Sequence, residues 1–407
     1  MSPWFVAEGR PAIEREVAPL LRALFLRYPV VTVTGPRQSG KTTLARMTFP
    51  DLAYVNLEAP DERARAEANP RAFLGRLQGG AVLDEIQRAP ALVSYIQAIV
   101  DEAARPGMFV LTGSQHFGVI DTIGQSLAGR TAILRLLPFS IAEAGSVTAE
   151  LDVDAMLRLG FYPRIHALEL DPTQTLGDYV ETYVERDVRN LAGVRNLEGF
   201  RRFLGLCAGR VGQLLNLQSL GNDAGVSHTT AREWMSVLQA GFVAFTLPPY
   251  HGNLSKRLIK SPKLYFYDVG LAAFLLGIEE RSHLFTHPLR GALFENLVVV
   301  EALKHRFNQG RRGNILFYRD SAGHEVDLLY EIAGKVAAVE VKAGETVPSG
   351  AAAPLDRLAA VLGDRIVERM IVYGGEAEYS EGDVRVMPAP RFAPALSDID
   401  RRLGAAQ

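Results

Sequence analysis

The chain has 407 residues, 48% of them apolar, which suits two or three domains with buried cores. Its net charge of −2 excludes a global attraction to nucleic acid, so any such binding needs a local basic surface. The single cysteine, Cys207, excludes an internal disulfide framework and a cysteine-rich zinc site, and fits a reducing compartment.

From Met1 onward there is no signal-peptide layout, and nowhere is there an apolar run of about 18 residues. A soluble, cytoplasmic protein with no membrane partner is expected. Short apolar runs then alternate with helical patterns, the signature of a parallel sheet. Strands are expected at Val30–Thr34, Ala53–Leu57, Ala81–Asp84, Phe109–Gly113 and Thr131–Leu137. After the first of them comes Gly35-Pro36-Arg37-Gln38-Ser39-Gly40-Lys41-Thr42, a full match to G-x-x-x-x-G-K-[ST], and then helix-forming Thr43-Leu44-Ala45-Arg46-Met47. Strand, glycine loop and helix N-terminus together cradle phosphates on backbone N–H groups; Lys41 neutralises them and the Thr42 hydroxyl ligates Mg²⁺. Gly35 to Thr43 are therefore the expected nucleotide-binding residues. A chance match in an ordinary βα turn is the competing reading, and the flanking elements count against it.

The third strand ends in Asp84-Glu85, which in a parallel sheet lies beside the phosphate loop. There Asp84 can hold the Mg²⁺ shell while Glu85 polarises an attacking water, which favours hydrolysis over binding alone. The fourth strand ends in Ser114, which either contacts the γ-phosphate or positions the attacking water, or else is a plain helix N-cap. Arg130, after Ser126-Leu127-Ala128-Gly129, is either a finger reaching a neighbouring subunit's nucleotide or a surface arginine after a glycine stop.

These residues resemble the AAA+ ATPases. The resemblance implies ATP as the nucleotide, strand order 5-1-4-3-2, a helical lid after residue 140, and assembly into a ring or other homo-oligomer. In Tyr183-Val184-Glu185-Arg186-Asp187-Val188-Arg189 it makes Arg186 or Arg189 the nucleotide-sensing arginine, though the segment equally suits a salt-bridged surface helix.

Further along, Leu217 to Trp234 has helix-turn-helix form. Leu217, Leu220 and Ala224 share one apolar face, Gly225 permits the turn and Ser227 caps the second helix. His228, Thr229, Arg232 and Glu233 are left outward. Gly241–Phe245 suits the first strand of a winged helix, and the stretch His251–Lys263 carries Lys256, Arg257, Lys260 and Lys263 with no acid. Such a wing can straddle DNA phosphates and make binding salt-dependent. A protein-docking module with a solvated basic hairpin is the alternative.

The last third returns to strands at Ile315–Tyr318, Glu325–Ile332 and Val336–Val341. Asp327, Glu340 and Lys342 form D-x12-E-x-K, with Glu340 and Lys342 on one strand face. Glu295, on a helix upstream, can add a ligand. Two or three carboxylates can hold a second Mg²⁺ while Lys342 activates water for phosphodiester cleavage. This resembles the PD-(D/E)xK nuclease-like fold, with Val326 where a proline would lead; a scaffold kept for binding alone is the competing reading. The end of the chain, with Pro388, Pro390 and Pro394, is expected to trail loosely.

Taken whole, the chain is similar to a prokaryotic ATPase family with an AAA-type amino-terminal domain and a carboxy-terminal domain of unknown function 4143. The carrying residues include Gly35–Thr42, Val82–Glu85, Ser126–Arg130, Ser261–Leu271, Leu289–Glu295 and His324–Leu329. The expected fold class is α/β, divided into an ATPase core at 1–140, a helical lid at 141–199, a winged-helix module at 200–276 and a nuclease-like domain at 277–407. The favoured function is an ATP-hydrolysing motor acting on DNA, of helicase or branch-migration type. A nucleotide-gated protein-interaction switch and an ATP-licensed metal-dependent nuclease are the alternatives.

Overall fold

The computed structural model describes residues 13–77, 79–114, 126–146, 152–183, 188–189, 194–250 and 260–404. The first sheet contains β1 (Val30–Thr34), β2 (Ala53–Asn56), β3 (Ala81–Asp84), β4 (Phe109–Gly113) and β5 (Thr131–Arg135). Its order is β2-β3-β4-β1-β5 and every pairing is parallel, the order the AAA+ resemblance implies. β1 is valine and threonine throughout, buried along its whole length, because helices cover both faces of a parallel sheet. Gly35 ends β1 at a position no other residue fits. A β-carbon there would lie 2.0 Å from the Leu136 carbonyl oxygen, and its φ is +151°.

The middle of the chain is helical. Trp234 on the helix His228–Ala240 meets Phe200 and Phe203 of the helix Leu197–Ala208 edge-on, with ring centroids 5.4 and 5.5 Å apart. The helix Leu217–Ala224 ends at left-handed Gly225, and the Ser227 hydroxyl accepts from Thr230 N–H at 3.1 Å to start the next helix. β6 (Ala244–Leu247) and β7 (Lys263–Phe266) then form an antiparallel pair. Helix, turn, helix and an antiparallel strand pair thus follow one another in the chain.

The second large sheet holds β8 (Ile315–Arg319), β9 (Glu325–Ile332), β10 (Lys335–Lys342), β11 (Ile366–Tyr373), β12 (Tyr379–Glu381) and β13 (Val384–Pro388) in the order β12-β13-β11-β10-β9-β8. The last three strands were not foreseen from the sequence. Nor is the carboxyl end loose: the helix Phe392–Gly404 buries Phe392, Ala395, Leu396 and Ile399 against the helix Arg290–Asn308. That longer helix is apolar or buried nearly all round, as befits a central element. It touches β5, β7, β9 and β10, so a single core runs from Leu137 to Leu403 through the middle helices, the β6–β7 pair and the second sheet.

Candidate functional site

The phosphate loop leaves β1 between β4 and β5 and enters the helix Lys41–Thr48 through left-handed Gly40. Lys41 Nζ donates to the carbonyls of Gly35 at 3.0 Å and Pro36 at 2.6 Å, so the ammonium lies over its own loop. Thr42 Oγ1 donates to both carboxylate oxygens of Asp84 at 3.0 Å. Tyr54 donates to Asp84 Oδ2 at 2.8 Å, and the Thr112 hydroxyl donates to Oδ1. A hydroxyl and a carboxylate held together are hard oxygen donors, and Thr42 with Asp84 fits a magnesium ion.

Glu85 follows Asp84 in the left-handed region, φ +58°, held by its N–H to Thr112 Oγ1 at 3.1 Å. Its Oε2 accepts from Gln87 and from Ser114 Oγ, the latter at 3.3 Å. Burial pushes the Glu85 carboxyl above its ordinary range, against the opposing pull of Lys41. Ser114 thus serves Glu85 rather than capping a described helix. Tyr54, Thr112 and Gln87 escaped the sequence reading, since the motif does not specify them.

Arg15 escaped it too. This buried arginine donates to the Ser39 carbonyl inside the loop at 2.7 Å, to Leu137 O at 2.8 Å and to Glu143 at 2.9 Å. The same segment is gripped from its other side. Ile141 N–H donates to Glu301 at 3.0 Å, and Lys304 Nζ, paired with Glu301, donates to Phe139 O at 2.6 Å. Residues 137–143 therefore connect the phosphate loop to the central helix.

Arg130 sits at the far end of the sheet: its carbonyl accepts from Val30 N–H, at the start of β1. Its guanidinium forks onto Asp101 at 2.5 and 2.8 Å, which holds that exposed carboxyl below its ordinary range. Arg130 is thus remote from its own phosphate loop. Arg189 is exposed, and Arg186 lies outside the described residues.

In the carboxyl-terminal constellation Glu295, Asp327, Glu340 and Lys342 do converge, but around a lysine from elsewhere. Lys263, 2% exposed on β7, places Nζ 2.7 Å from Glu295 Oε1 and 3.9 Å from Asp327 Oδ1, and in contact with Glu325. It is no wing residue and offers nothing to a phosphate; burial in the sheet interface overrides the basic-loop pattern. Burial works to discharge this ammonium, but Glu295, Asp327 and Glu325 outweigh it and push its pKa up. Tyr265 donates to Glu295, Val341 N–H to Asp327 at 2.9 Å, and Lys342 pairs with Glu340 at 2.6 Å. Among the described residues no three His, Cys, Asp or Glu side chains are arranged to hold a metal ion; Glu295 and Asp327 lie around Lys263, and Glu340 is paired with Lys342.

On the helix-turn-helix, Thr229, Arg232 and Glu233 face solvent, and His228 is half-buried. Lys260 is exposed; Lys256 and Arg257 lie outside the described residues. Among the described residues no helix is long and apolar enough to cross a membrane.

Three family models match in series: an AAA domain over 27–145, a domain of unknown function (DUF8612) over 150–282, and a domain of unknown function (DUF4143) over 290–392. The chain is 33% identical over 385 residues to the uncharacterized protein Rv2008c of Mycobacterium tuberculosis, covering 93% of this chain and 84% of that protein. The uncharacterized protein Mb2031c of Mycobacterium bovis matches to the same extent. Among solved structures, the Walker-type ATPase PABY2304 of Pyrococcus abyssi is 12% identical, with a TM-score of 0.44 over 66% of this chain and 99% of its own. AMPPCP-bound DnaA from Aquifex aeolicus is 16% identical, with a TM-score of 0.28 over 58% of this chain and 89% of its own. With the AAA match over the phosphate loop, the DUF4143 match over the second sheet and relatives aligned along nearly its whole length, the chain belongs to the ATPase family that joins an amino-terminal AAA domain to a carboxy-terminal DUF4143 domain.

Proposed function

We propose that this protein hydrolyses ATP and uses the turnover to remodel DNA held by its winged-helix module. The observation that carries the DNA half is the helix-turn-helix itself, whose second helix leaves Thr229 and Arg232 exposed while Ala231, Trp234 and Leu238 are buried. Lys260, just before β7, is also exposed. Exposed arginine and lysine beside a hydroxyl are donors suited to backbone phosphates.

At the nucleotide site, Gly35 to Thr43 wrap the phosphates with backbone N–H groups. Lys41 exchanges its loop carbonyls for phosphate oxygens. Thr42 and Asp84 hold the magnesium ion, whose charge supports the leaving phosphate when bound. Glu85 takes the proton of the attacking water, and its raised pKa suits a base that must also release it. Ser114 and Gln87 fix the Glu85 carboxylate. Arg130 completes the site from a neighbouring copy, which requires self-association and release from Asp101. In this reading the ATPase core, lid, winged helix and nuclease-like domain divide near residues 140, 199 and 276.

Glu233 beside Arg232 makes the outward helix face mixed in charge, which favours a second reading, a nucleotide-gated protein switch. Charge reversal at Arg232 and Lys260 separates the two. Under the DNA reading, Arg232→Glu with Lys260→Glu weakens duplex binding and flattens its salt dependence, with ATP affinity unchanged. Unchanged DNA affinity in that variant rejects the role of this face.

A further inference from the structure

We propose that Lys263 is the resident cation of the nuclease-like carboxylate cluster, closing that site to divalent metal and locking the winged-helix hairpin onto the second sheet. The inference is independent of whether the protein acts on DNA.

The lysine comes from outside the nuclease-like sheet. β7 pairs with β6, and its backbone is further tied to the loop after the helix Leu197–Ala208: Leu215 N–H donates to Pro262 O at 2.7 Å and Leu264 N–H to Gln213 O at 3.0 Å. Asn296 holds the other end of β7, accepting from Phe266 N–H at 2.7 Å and donating to Phe266 O at 3.0 Å. The ammonium is thus delivered by a fixed strand rather than a free surface side chain. It lies among Glu295, Glu325 and Asp327 and over the Phe317 ring at 5.5 Å.

Those carboxylates are what a divalent ion would need. A dication placed between Glu295 and Asp327 would lie within a few ångströms of the Lys263 charge, with little water to screen them. One cation excludes the other. Glu340 shows that the cluster still has acceptor capacity: the residue is 6% exposed, Oε1 is paired with Lys342, and Oε2 is buried with no hydrogen-bond donor among the described residues. Burial first, and then the Asp327 charge, pushes its carboxyl above the ordinary range. Lys263 therefore substitutes for metal charge at the position where a nuclease would keep its ion, and the domain serves as a docking scaffold rather than a cutting one.

The test is Mn²⁺ binding to the full chain, without nucleotide, in an Asp84→Asn background that silences the ATP-site ligand. Water-proton relaxation or electron paramagnetic resonance reads the bound ion. The native cluster is expected to take up no Mn²⁺ that Asp327→Asn removes. Lys263→Met is expected to raise Mn²⁺ affinity by roughly tenfold or more, and adding Asp327→Asn should abolish the gain. Lys263→Gln provides a second, polar replacement should the methionine variant not fold. Two results overturn the proposal: Mn²⁺ binding by native Lys263 protein that is lost with Asp327→Asn, or folded Lys263 variants that gain no site. The first of these needs no Lys263 variant at all.

Discussion

Arg15 Nη1 donates a 2.7 Å hydrogen bond to the carbonyl of Ser39, tying the segment before the first sheet to the turn of the phosphate loop. The same guanidinium pairs with Glu143 and covers Phe139, with its carbon 5.0 Å from the ring centroid. The loop that meets nucleotide is thereby joined, through residues 137–143, to Glu301 and Lys304 on the central helix.

Arg15→Ala is expected to destabilise the fold by about 3–5 kcal/mol, because it leaves Glu143 buried without its partner. Denaturant unfolding measures this. Arg15→Lys keeps the charge but loses the fork, and should fall between the two. A loss under about 1 kcal/mol for the alanine variant would show that the guanidinium is not structurally coupled to the loop.

Glu85→Gln should bind ATP about as tightly as the native protein while hydrolysing it at least roughly 10²-fold more slowly. The amide preserves contacts to Gln87 and Ser114 but cannot take a proton. Nucleotide affinity and single-turnover rate, measured together, separate this from a loss of binding.

Arg130→Ala should cut turnover by roughly 10³-fold with little change in nucleotide affinity, if it completes a neighbour's site. Asp101→Ala should not slow the enzyme, since it only releases the guanidinium. A monomer with normal turnover after Arg130→Ala would reject the role in trans.

Asn296→Ala leaves the Phe266 backbone N–H and C=O without their side-chain partners inside the core and should cost about 3 kcal/mol. Cys207 offers a simpler check on that core. Burial pushes its thiol far up, so it should not react with a thiol reagent until the chain unfolds.

The ATP site was legible because its chemistry is local. Gly35 to Thr42 sit in one strand-loop-helix unit, and Asp84-Glu85 close β3, one strand beyond β4, so the AAA+ strand order brings them to the same end of the sheet. Tyr54 and Thr112 were invisible, since they reach Asp84 only through the sheet's register. Lys263 misled the basic-loop reading for a related reason. Its partner Glu295 lies 32 positions away, and a charge run gives no sign that one member turns inward. The closing helix did carry a signal: Phe392, Ala395, Leu396 and Ile399 recur at helical spacing, while the prolines nearby suggested loose structure.

The most direct test of ATP-driven action on DNA is the steady-state ATPase rate of the full chain, with and without forked or four-way DNA, across a salt series. The account predicts a rate that rises with DNA and a stimulation that fades as salt increases. A rate that stays constant with every DNA structure, together with no salt-dependent DNA binding, would contradict it.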